Sequence, residues 1–214
     1  MKRKLHDYRK LYQKHQLLEE EIPQDPFELF HYWLQEIEAN REVEEVNKMN
    51  LSTIGLDGFP ATRVVLLKEY DAEGFVFYTN YESDKGKAIA KNPKVCLSFF
   101  WPASERQVII KGLAEKTSVE DSEVYFQSRP KGSQLGAWAS QQSSVIPSRE
   151  YLQEKLNLLE EQYSGKEIPK PVYWGGYKVI PSQFEFWQGR PNRLHDRIYF
   201  SKEGKEWKID RLAP

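Results

Sequence analysis

The feature that most constrains the fold is a succession of short apolar and aromatic runs joined by tight turns, beginning near residue 50. Asn50–Leu56 and Thr62–Tyr70 flank Asp57-Gly58, a dipeptide typical of hairpin turns. Further strands are predicted at Phe75–Thr79, Lys94–Trp101, Gln107–Lys116, Tyr173–Ile180, Phe184–Trp187, Arg197–Ser201 and Trp207–Arg211. Because the connections between these runs are local, they favour a largely antiparallel sheet.

Helical segments interrupt the strands without alternating strictly with them. Asp25-Pro26-Phe27-Glu28 predicts a helix start, with Asp25 as the cap and Pro26 in the first turn. Other helices are predicted at residues 5–20, Ser83–Asn92, Ser118–Gln127, Gln134–Ala139 and Ser148–Tyr163. This order argues against a doubly wound parallel fold. We predict a β-rich α+β domain over residues 25–214, a closed barrel with flanking helices, preceded by an N-terminal arm over residues 1–24 that can be mobile.

Composition and charge exclude several classes of protein. The longest apolar runs have four residues, Val64–Leu67 and Phe75–Tyr78, whereas a membrane-spanning helix needs about 20. The basic residues after Met1 precede no apolar segment, and the single cysteine, Cys96, allows no internal disulfide. The 31 Lys and Arg against 32 Asp and Glu lack the basic excess of a nucleic-acid binder. We therefore expect a cytoplasmic protein without a nucleic-acid or membrane partner.

Aromatic residues are abundant, with 6 Trp, 12 Tyr and 11 Phe. Two interpretations stay open at this point. The rings can fill a core and a subunit interface, or some of them can form a pocket for a flat ring ligand.

Two groups of residues suit an anionic ligand. Arg193, His195 and Arg197 alternate at strand spacing and would project to one face, although a solvated edge strand explains the same pattern. Tyr125 and Arg129 lie four residues apart on one helical face, and a Pro-Gly loop leads to Ser133. A helix start with Arg, Ser and free amides suits phosphate, but an ordinary helix–loop–helix with a serine cap explains it equally well.

Other candidates are weaker. Arg63 and Lys68 end an apolar strand and face opposite sides unless the chain bends near Lys68, and Lys85 stands at a helix start beside Asp84. The sequence contains none of the motifs GxGxxG, GxxxxGK[ST], GxSxG and HExxH, and its four histidines lack the spacing of metal ligands, so no metal is predicted. From the residues alone, we predict scattered cationic sites suited to a phosphorylated ring compound.

Taken together and in order, several short motifs resemble those of the pyridoxine/pyridoxamine 5′-phosphate oxidase family. They are Arg63–Lys68, Phe77-Tyr78-Thr79-Asn80, Glu105-Arg106-Gln107, Tyr125-Phe126 with Ser128-Arg129-Pro130, Gln142-Ser143, Trp174-Gly175-Gly176, Glu185–Gly189, Arg193–Arg197 and Trp207–Pro214. The resemblance runs from about Asp25 to the C-terminus. It implies an FMN-binding split β-barrel, and a homodimer with its active sites at the subunit interface. It also implies oxidation of pyridoxamine or pyridoxine 5′-phosphate by O2 to pyridoxal 5′-phosphate and H2O2, with ammonia released from the amine.

The resemblance also implies roles for individual residues. FMN contacts would be Arg63, Val64, Val65, Leu66, Leu67, Lys68, Tyr78, Thr79, Lys85, Gln107, Gln142, Ser143, Trp187 and Arg197. Substrate contacts would be Arg9, Tyr12, Lys68, Tyr125, Arg129, Ser133, Arg193 and His195. Arg193, His195 and Arg197 would be catalytic. The chain departs from the family where Ser83-Asp84-Lys85 replaces the usual Ser-Arg-Lys, which puts a cation contact to the FMN phosphate in doubt.

Three other functions compete with this interpretation. A non-catalytic flavin or vitamin B6 phosphate-binding protein could use the same barrel, but it would not need the Arg193, His195 and Arg197 face. A flavin reductase with a nicotinamide donor need not retain Tyr125, Arg129 and Ser133. An oligonucleotide-binding barrel is disfavoured by the charge balance.

Overall fold

The structure is a computed structural model that describes residues 10–41 and 43–214. The described residues form five α-helices and nine strands: α1 (Pro26–Ala39), β1 (Lys48–Ile54), β2 (Pro60–Leu66), β3 (Glu69–Asp71), β4 (Gly74–Asn80), α2 (Asp84–Lys91), β5 (Lys94–Trp101), β6 (Arg106–Lys116), α3 (Val119–Ser128), α4 (Lys131–Ala139), α5 (Arg149–Gln162), β7 (Trp174–Gln188), β8 (Asp196–Glu203) and β9 (Glu206–Arg211). None of these helices is long and apolar enough to cross a membrane.

The strands belong to one sheet in the order β2-β1-β5-β6-β7-β4-β3, and β8 pairs with both β7 and β9. The pairs β3–β4, β4–β7, β7–β8 and β8–β9 are antiparallel, as predicted. The predicted break between Ile180 and Phe184 is wrong, since β7 continues through Pro181. Val179 is the last residue of β7 that pairs with β4, and Gln183 is the first that pairs with β8. Pro181, which has no N–H to donate, therefore lies where β7 changes from one partner strand to the other.

The chain forms two compact units. The central unit comprises Asn50–Cys96 and Gly112–Pro181. Its core includes Phe75 and Phe77 of β4, which are fully buried, and a cluster in which Phe126 of α3 packs with Trp174 of β7. The core therefore uses aromatic side chains from both strands and helices.

The terminal unit comprises residues 10–49 as far as they are described, Leu97–Lys111 and Ser182–Pro214. Helix α1 starts as predicted, because the Asp25 carboxylate accepts the N–H of Phe27 at 2.8 Å and Pro26 occupies the first turn. Phe30 of α1 packs edge-on against Phe99 of β5, with ring centroids 5.1 Å apart. The core of this unit is thus also aromatic.

The predicted helix over residues 5–20 is wrong for the part that the structure describes. Residues 10–18 contain no helix, and one 3₁₀ turn covers Glu19–Glu21. The backbone N–H groups of Gln13 and Lys14 donate to the Glu105 carboxylate, and that of Leu17 donates to Asp196. Side-chain carboxylates of the terminal unit thus accept the backbone N–H groups that would donate to backbone carbonyls in a helix. The division into an arm over residues 1–24 and a single domain over residues 25–214 stays a prediction.

Candidate functional site

The central unit contains a cavity of about 470 Å³, called here the central pocket. Its lining residues are Val64, Val65, Leu66, Lys68, Tyr78, Thr79, Asn80, Lys85, Tyr125, Arg129, Pro130, Ser133, Gln142 and Trp174. Eleven of these were predicted as cofactor or substrate contacts from segments scattered between residues 64 and 142. The structure therefore brings together most of the predicted cofactor and substrate contacts of this unit.

The end of strand β2 explains how Lys68 reaches the pocket. The strand stops at Leu66, and the Lys68 N–H then donates to the Val76 carbonyl at 2.8 Å. The strand predicted over Thr62–Tyr70 is therefore wrong in its second half, because Lys68 lies in the break between β2 and β3. Arg63 does not line the pocket, because its guanidinium donates to the Leu51 carbonyl and the Thr53 hydroxyl.

Among the described residues that line the central pocket there are three cations and no carboxylate. Lys85 is buried, and its Nζ lies 3.4 Å from the Ser83 hydroxyl. Burial and the nearby Arg63 lower the Lys85 pKa, although Asp84 opposes the shift. Burial also lowers the Arg129 pKa. An anion in this pocket would offset the cost of burying these cations.

Arg129 carries the clearest sign of a missing partner. Its Nη1 is buried and has no hydrogen-bond acceptor, although a buried donor ordinarily has one. Arg129 was predicted to share a helical face with Tyr125, but it is the C-cap of α3 and has extended backbone angles. Both residues nevertheless line the pocket, so the structure brings them together although the predicted helical geometry is wrong.

Three aromatic rings form a stack beside Arg129. The Tyr78 ring lies 3.9 Å from that of Tyr125 and 5.5 Å from that of Trp174, at interplanar angles of 15° and 10°. The Arg129 guanidinium carbon is 4.7 Å from the Trp174 ring centroid. Gly176 keeps room for the stack, since a Cβ there would come within 2.9 Å of the Tyr78 ring. Burial raises the pKa of Tyr78 to about 12, so its hydroxyl stays protonated at neutral pH.

Neutral donors and a helix start occupy the side of the pocket near Lys85. Thr79 donates to the Gln142 amide oxygen at 3.4 Å, and the Asp84 N–H donates to the Ser143 hydroxyl at 3.2 Å. Ser83 caps α2, because its hydroxyl accepts the Gly86 N–H. Asp84 is exposed in the first helical turn, where its charge suits the helix dipole.

The terminal unit contains a second cavity of about 650 Å³, called here the terminal pocket. Its lining residues are Lys10, Leu11, Tyr12, Trp187, Arg190, Asn192, Arg193 and His195. The predicted strand face of Arg193, His195 and Arg197 is wrong. Pro191 starts a 3₁₀ turn, Asn192 and Arg193 have φ angles of 57° and 63°, and β8 begins only at Asp196. Arg193 and His195 reach the pocket from this turn.

The backbone fixes the tautomer of His195. The Arg190 N–H donates to His195 Nδ1 at 3.0 Å, and an amide N–H can only donate, so Nδ1 must be unprotonated. The neutral ring therefore carries its proton on Nε2. Burial and then the charge of Arg193 lower the His195 pKa from its ordinary 6.5, against the opposing effect of Asp196. His195 is thus a neutral hydrogen-bond donor at physiological pH.

This geometry predicts the outcome of an NMR titration. The ¹⁵N spectrum of His195, assigned with the His195→Gln variant, should show the Nε2–H tautomer and a midpoint below pH 6.5. Because the folded state disfavours the charged ring, the free energy of unfolding should fall as pH drops through 6.5, and less so in the variant. An Nδ1–H tautomer, or a midpoint above 6.5, would contradict the assignment.

Several predicted residues lie outside both pockets. Arg197 donates from Nε to Glu185 at 2.8 Å and from Nη1 to the Ala213 carbonyl at 2.7 Å, and the bond to Glu185 raises its pKa. Gln107 donates to the Ser98 hydroxyl, and Leu67 is buried. Ser143 does not line the central pocket. Arg9 lies outside the described residues.

Sequence reasoning assigned no role to seven of the lining residues. They are Asn80, Pro130 and Trp174 in the central pocket, and Lys10, Leu11, Arg190 and Asn192 in the terminal pocket. Asn80, Pro130 and Trp174 stand inside motifs already noted, so adjacency to assigned residues could have found them. Arg190 contributes through its backbone N–H, which no side-chain pattern reveals.

Comparisons with known proteins show which family the chain is similar to. The chain matches the family described as pyridoxamine 5′-phosphate oxidase over residues 36–163, and the C-terminal dimerisation region of pyridoxine 5′-phosphate oxidase over residues 174–214. It is 61% identical over 210 residues to the pyridoxine/pyridoxamine 5′-phosphate oxidase of Flavobacterium johnsoniae, covering 98% of each chain. It is 57% identical over 214 residues to the protein of the same name from Christiangramia forsetii, covering 100% of each.

A solved structure extends the likeness to the fold. PhzG from Burkholderia lata 383, in complex with tetrahydrophenazine-1-carboxylic acid, is similar with a TM-score of 0.85 and 27% identity. The match covers 91% of this chain and 95% of that one. The predicted fold class, a β-rich split barrel with flanking helices, is confirmed.

Proposed function

The chain belongs to the pyridoxine/pyridoxamine 5′-phosphate oxidase family, and from this premise we propose that it oxidises both of these phosphate esters to pyridoxal 5′-phosphate with FMN as its cofactor. Pyridoxine 5′-phosphate and O2 yield the aldehyde and H2O2. Pyridoxamine 5′-phosphate, O2 and water yield the same products and ammonia. The observation that carries the proposal is the unpartnered Arg129 Nη1 in a pocket that is rich in cations and walled by stacked rings.

The central pocket suits the phosphate of FMN. Buried Lys85 would donate to it together with the Thr79 hydroxyl and the Gln142 amide, and Arg63 would contribute at longer range. A phosphate dianion would raise the lowered Lys85 pKa again, because an opposite charge favours the ammonium. When bound, FMN would supply the two-electron redox chemistry that links oxidation of the substrate at C4′ to reduction of O2. Asp84, exposed at the helix start, leaves this contact to Lys85 and neutral donors.

The substrate phosphate belongs with Arg129, Lys68, Ser133 and Tyr125 at the other part of the central pocket. The free Nη1 of Arg129 would donate to a phosphate oxygen, and its stacking on Trp174 holds the guanidinium plane in place. These contacts bind a group that does not react. They therefore orient the pyridine ring through binding energy and restricted motion.

The terminal pocket supplies the groups that cover the substrate ring. Arg193 provides a positive charge, and His195 donates a hydrogen bond from Nε2–H. Tyr12 and Trp187 close the pocket with apolar surface, which excludes water from the reacting carbon. Arg197, fixed by Glu185, would stabilise negative charge on the flavin from a position outside the pocket.

The protein would act as a cytoplasmic homodimer with each active site at the subunit interface. The region matched to the family's dimerisation segment, residues 174–214, includes Trp187, Arg193 and His195. Residues of this segment in one subunit would therefore contribute to the active site around the central pocket of the partner subunit. Exposed Leu194, adjacent to both Arg193 and His195, fits burial at such an interface.

An absorbance spectrum of the purified protein tests the function directly. The protein, reconstituted with FMN if necessary, should show flavin absorption, and mass spectrometry of the released cofactor should identify FMN. Anaerobic addition of pyridoxamine 5′-phosphate should bleach the flavin band, and air should restore it with release of pyridoxal 5′-phosphate. Binding of the substrate without bleaching would indicate a non-catalytic binding protein. Bleaching by a reduced nicotinamide dinucleotide, without the phosphate ester, would indicate a flavin reductase.

A further inference from the structure

Glu105 occupies a strained position in the turn between β5 and β6. Its φ angle is 57°, in the left-handed region that a residue with a Cβ seldom adopts. Its carbonyl accepts the Gly189 N–H at 2.8 Å and the Gln188 side-chain amide at 3.3 Å. The backbone of Glu105 is thus fixed against the end of β7, and the direction of its side chain follows from this conformation.

The Glu105 carboxylate is buried and collects donors from the N-terminal segment. With 1% of the side chain exposed, it accepts the N–H groups of Gln13 at 2.9 Å and Lys14 at 3.2 Å, and pairs with the Lys10 ammonium at 3.1 Å. Burial alone would raise the Glu105 pKa, but these donors outweigh burial and the pKa is lowered. The carboxylate is therefore ionised at neutral pH, and the segment is the source of its compensation.

Between these donors the segment carries Tyr12 into the terminal pocket. The Tyr12 ring packs edge-on against Trp187 at 5.8 Å and against His195 at 5.6 Å. It also lies against Gly189, where a Cβ would come within 2.7 Å of the ring. The residues that bind Glu105 and the pocket-lining Tyr12 thus belong to one short stretch of chain.

A second anchor holds the segment farther along. Leu17 donates its N–H to Asp196, and Arg211 donates to the Leu17 carbonyl at 2.8 Å and to the Glu19 carboxylate at 2.7 Å. These contacts fix residues 17–19 without reference to Glu105. Loss of the Glu105 carboxylate would therefore release residues 10–14 while residues 17–19 stay in place.

We propose that Glu105 is a positioning residue for the substrate: its carboxylate docks residues 10–14 and thereby holds Tyr12 over the terminal pocket. The proposal rests on the proposed oxidase function for its kinetic consequence. Its structural part, the docking of residues 10–14 by this carboxylate, does not depend on that function. Glu105 touches neither substrate nor cofactor in this role and acts through Tyr12.

Two substitutions remove the carboxylate in different ways. Glu105→Gly removes the side chain at a φ angle that glycine adopts freely, so the turn should keep its conformation. Glu105→Gln keeps the side-chain volume and loses the charge. Both should raise the KM for pyridoxine 5′-phosphate by about tenfold with kcat changed by less than about twofold, since docking contributes to binding of the whole substrate. Glu115→Gln, at an exposed site on β6, the strand that follows Glu105, is the matched control and should leave both constants unchanged.

A double-mutant cycle separates docking from a merely structural effect. In a Tyr12→Ala background, Glu105→Gln should produce no further rise in KM, because the residue through which it acts is gone. Hydrogen exchange at the Gln13 and Lys14 amides should be slow in the wild-type holoenzyme and fast in Glu105→Gly.

Each failure has its own meaning. Unprotected wild-type amides, an unchanged KM in Glu105→Gly, or an equal rise in KM with and without Tyr12 would overturn the proposal. A wild-type protein that binds FMN but does not turn over would instead refute the oxidase function, and the exchange experiment would still decide whether Glu105 docks the segment.

Discussion

Replacing Arg129 by alanine is expected to lower kcat/KM for pyridoxine 5′-phosphate by about 100-fold. The guanidinium is half-buried, stacked on Trp174, and has a buried Nη1 without an acceptor. A charge-assisted hydrogen bond contributes about 1.5–3 kcal/mol, and the upper part of this range corresponds to about 100-fold. Steady-state kinetics with the FMN-saturated variant measures the effect.

Two controls separate lost phosphate binding from lost packing. The FMN affinity of Arg129→Ala should stay close to the wild-type value, because the proposed donors to the FMN phosphate, Lys85 and Thr79, are unchanged. Its melting temperature should also stay close to the wild-type value if the loss of activity comes from phosphate binding and not from packing. Pyridoxine without its phosphate should be a poor substrate for both proteins, and the variant's additional defect should shrink to severalfold or less. A 100-fold loss with the phosphate-free substrate as well would assign Arg129 a structural role.

Much of the fold was predictable because its signals are local. The Asp25 cap and the Asp57-Gly58 turn each depend on residues near in sequence, and the elements around them were placed to within a few residues. The break predicted at Pro181 failed because a strand can tolerate a missing N–H where it changes partners. The helix predicted over residues 5–20 failed over its described part because Glu105 and Asp196, which are distant in sequence, accept backbone N–H groups of this segment.

The residue types of the site were easier to predict than their geometry. Ordered motifs made Arg129 and Lys85 candidates, but only the structure shows that one has an unpartnered donor and that the other is buried. Arg193 and His195 were expected on a strand face and instead follow a turn with positive φ angles. Phenylalanines fill the core, as the first aromatic interpretation predicted, while Tyr78 and Trp174 line a pocket, and their contact with a ring ligand stays a prediction.

A heterodimer of two chains, each of which is impaired as a homodimer, is expected to show about half of the wild-type activity. One chain carries Arg129→Ala in the central pocket, and the other carries Arg193→Ala in the terminal pocket. If each active site takes Arg129 from one subunit and Arg193 from its partner, one of the two sites in the heterodimer is intact and the other carries both changes. Co-expression with two affinity tags isolates the heterodimer, and turnover per bound FMN measures recovery.

The matched control pairs two changes in the same pocket. A heterodimer of Arg129→Ala and Lys68→Ala chains should stay inactive, because each of its sites then has a damaged central pocket. Recovery in this control would mean that pairing two different chains restores activity even though no central pocket is intact. Absence of recovery in the Arg129→Ala and Arg193→Ala heterodimer, with FMN bound and the dimer intact, would show that both arginines of one site come from the same chain. The dimerisation segment that carries Arg193 would then support assembly without supplying the partner's active site, and the interface placement would have to be abandoned while the oxidase function stood.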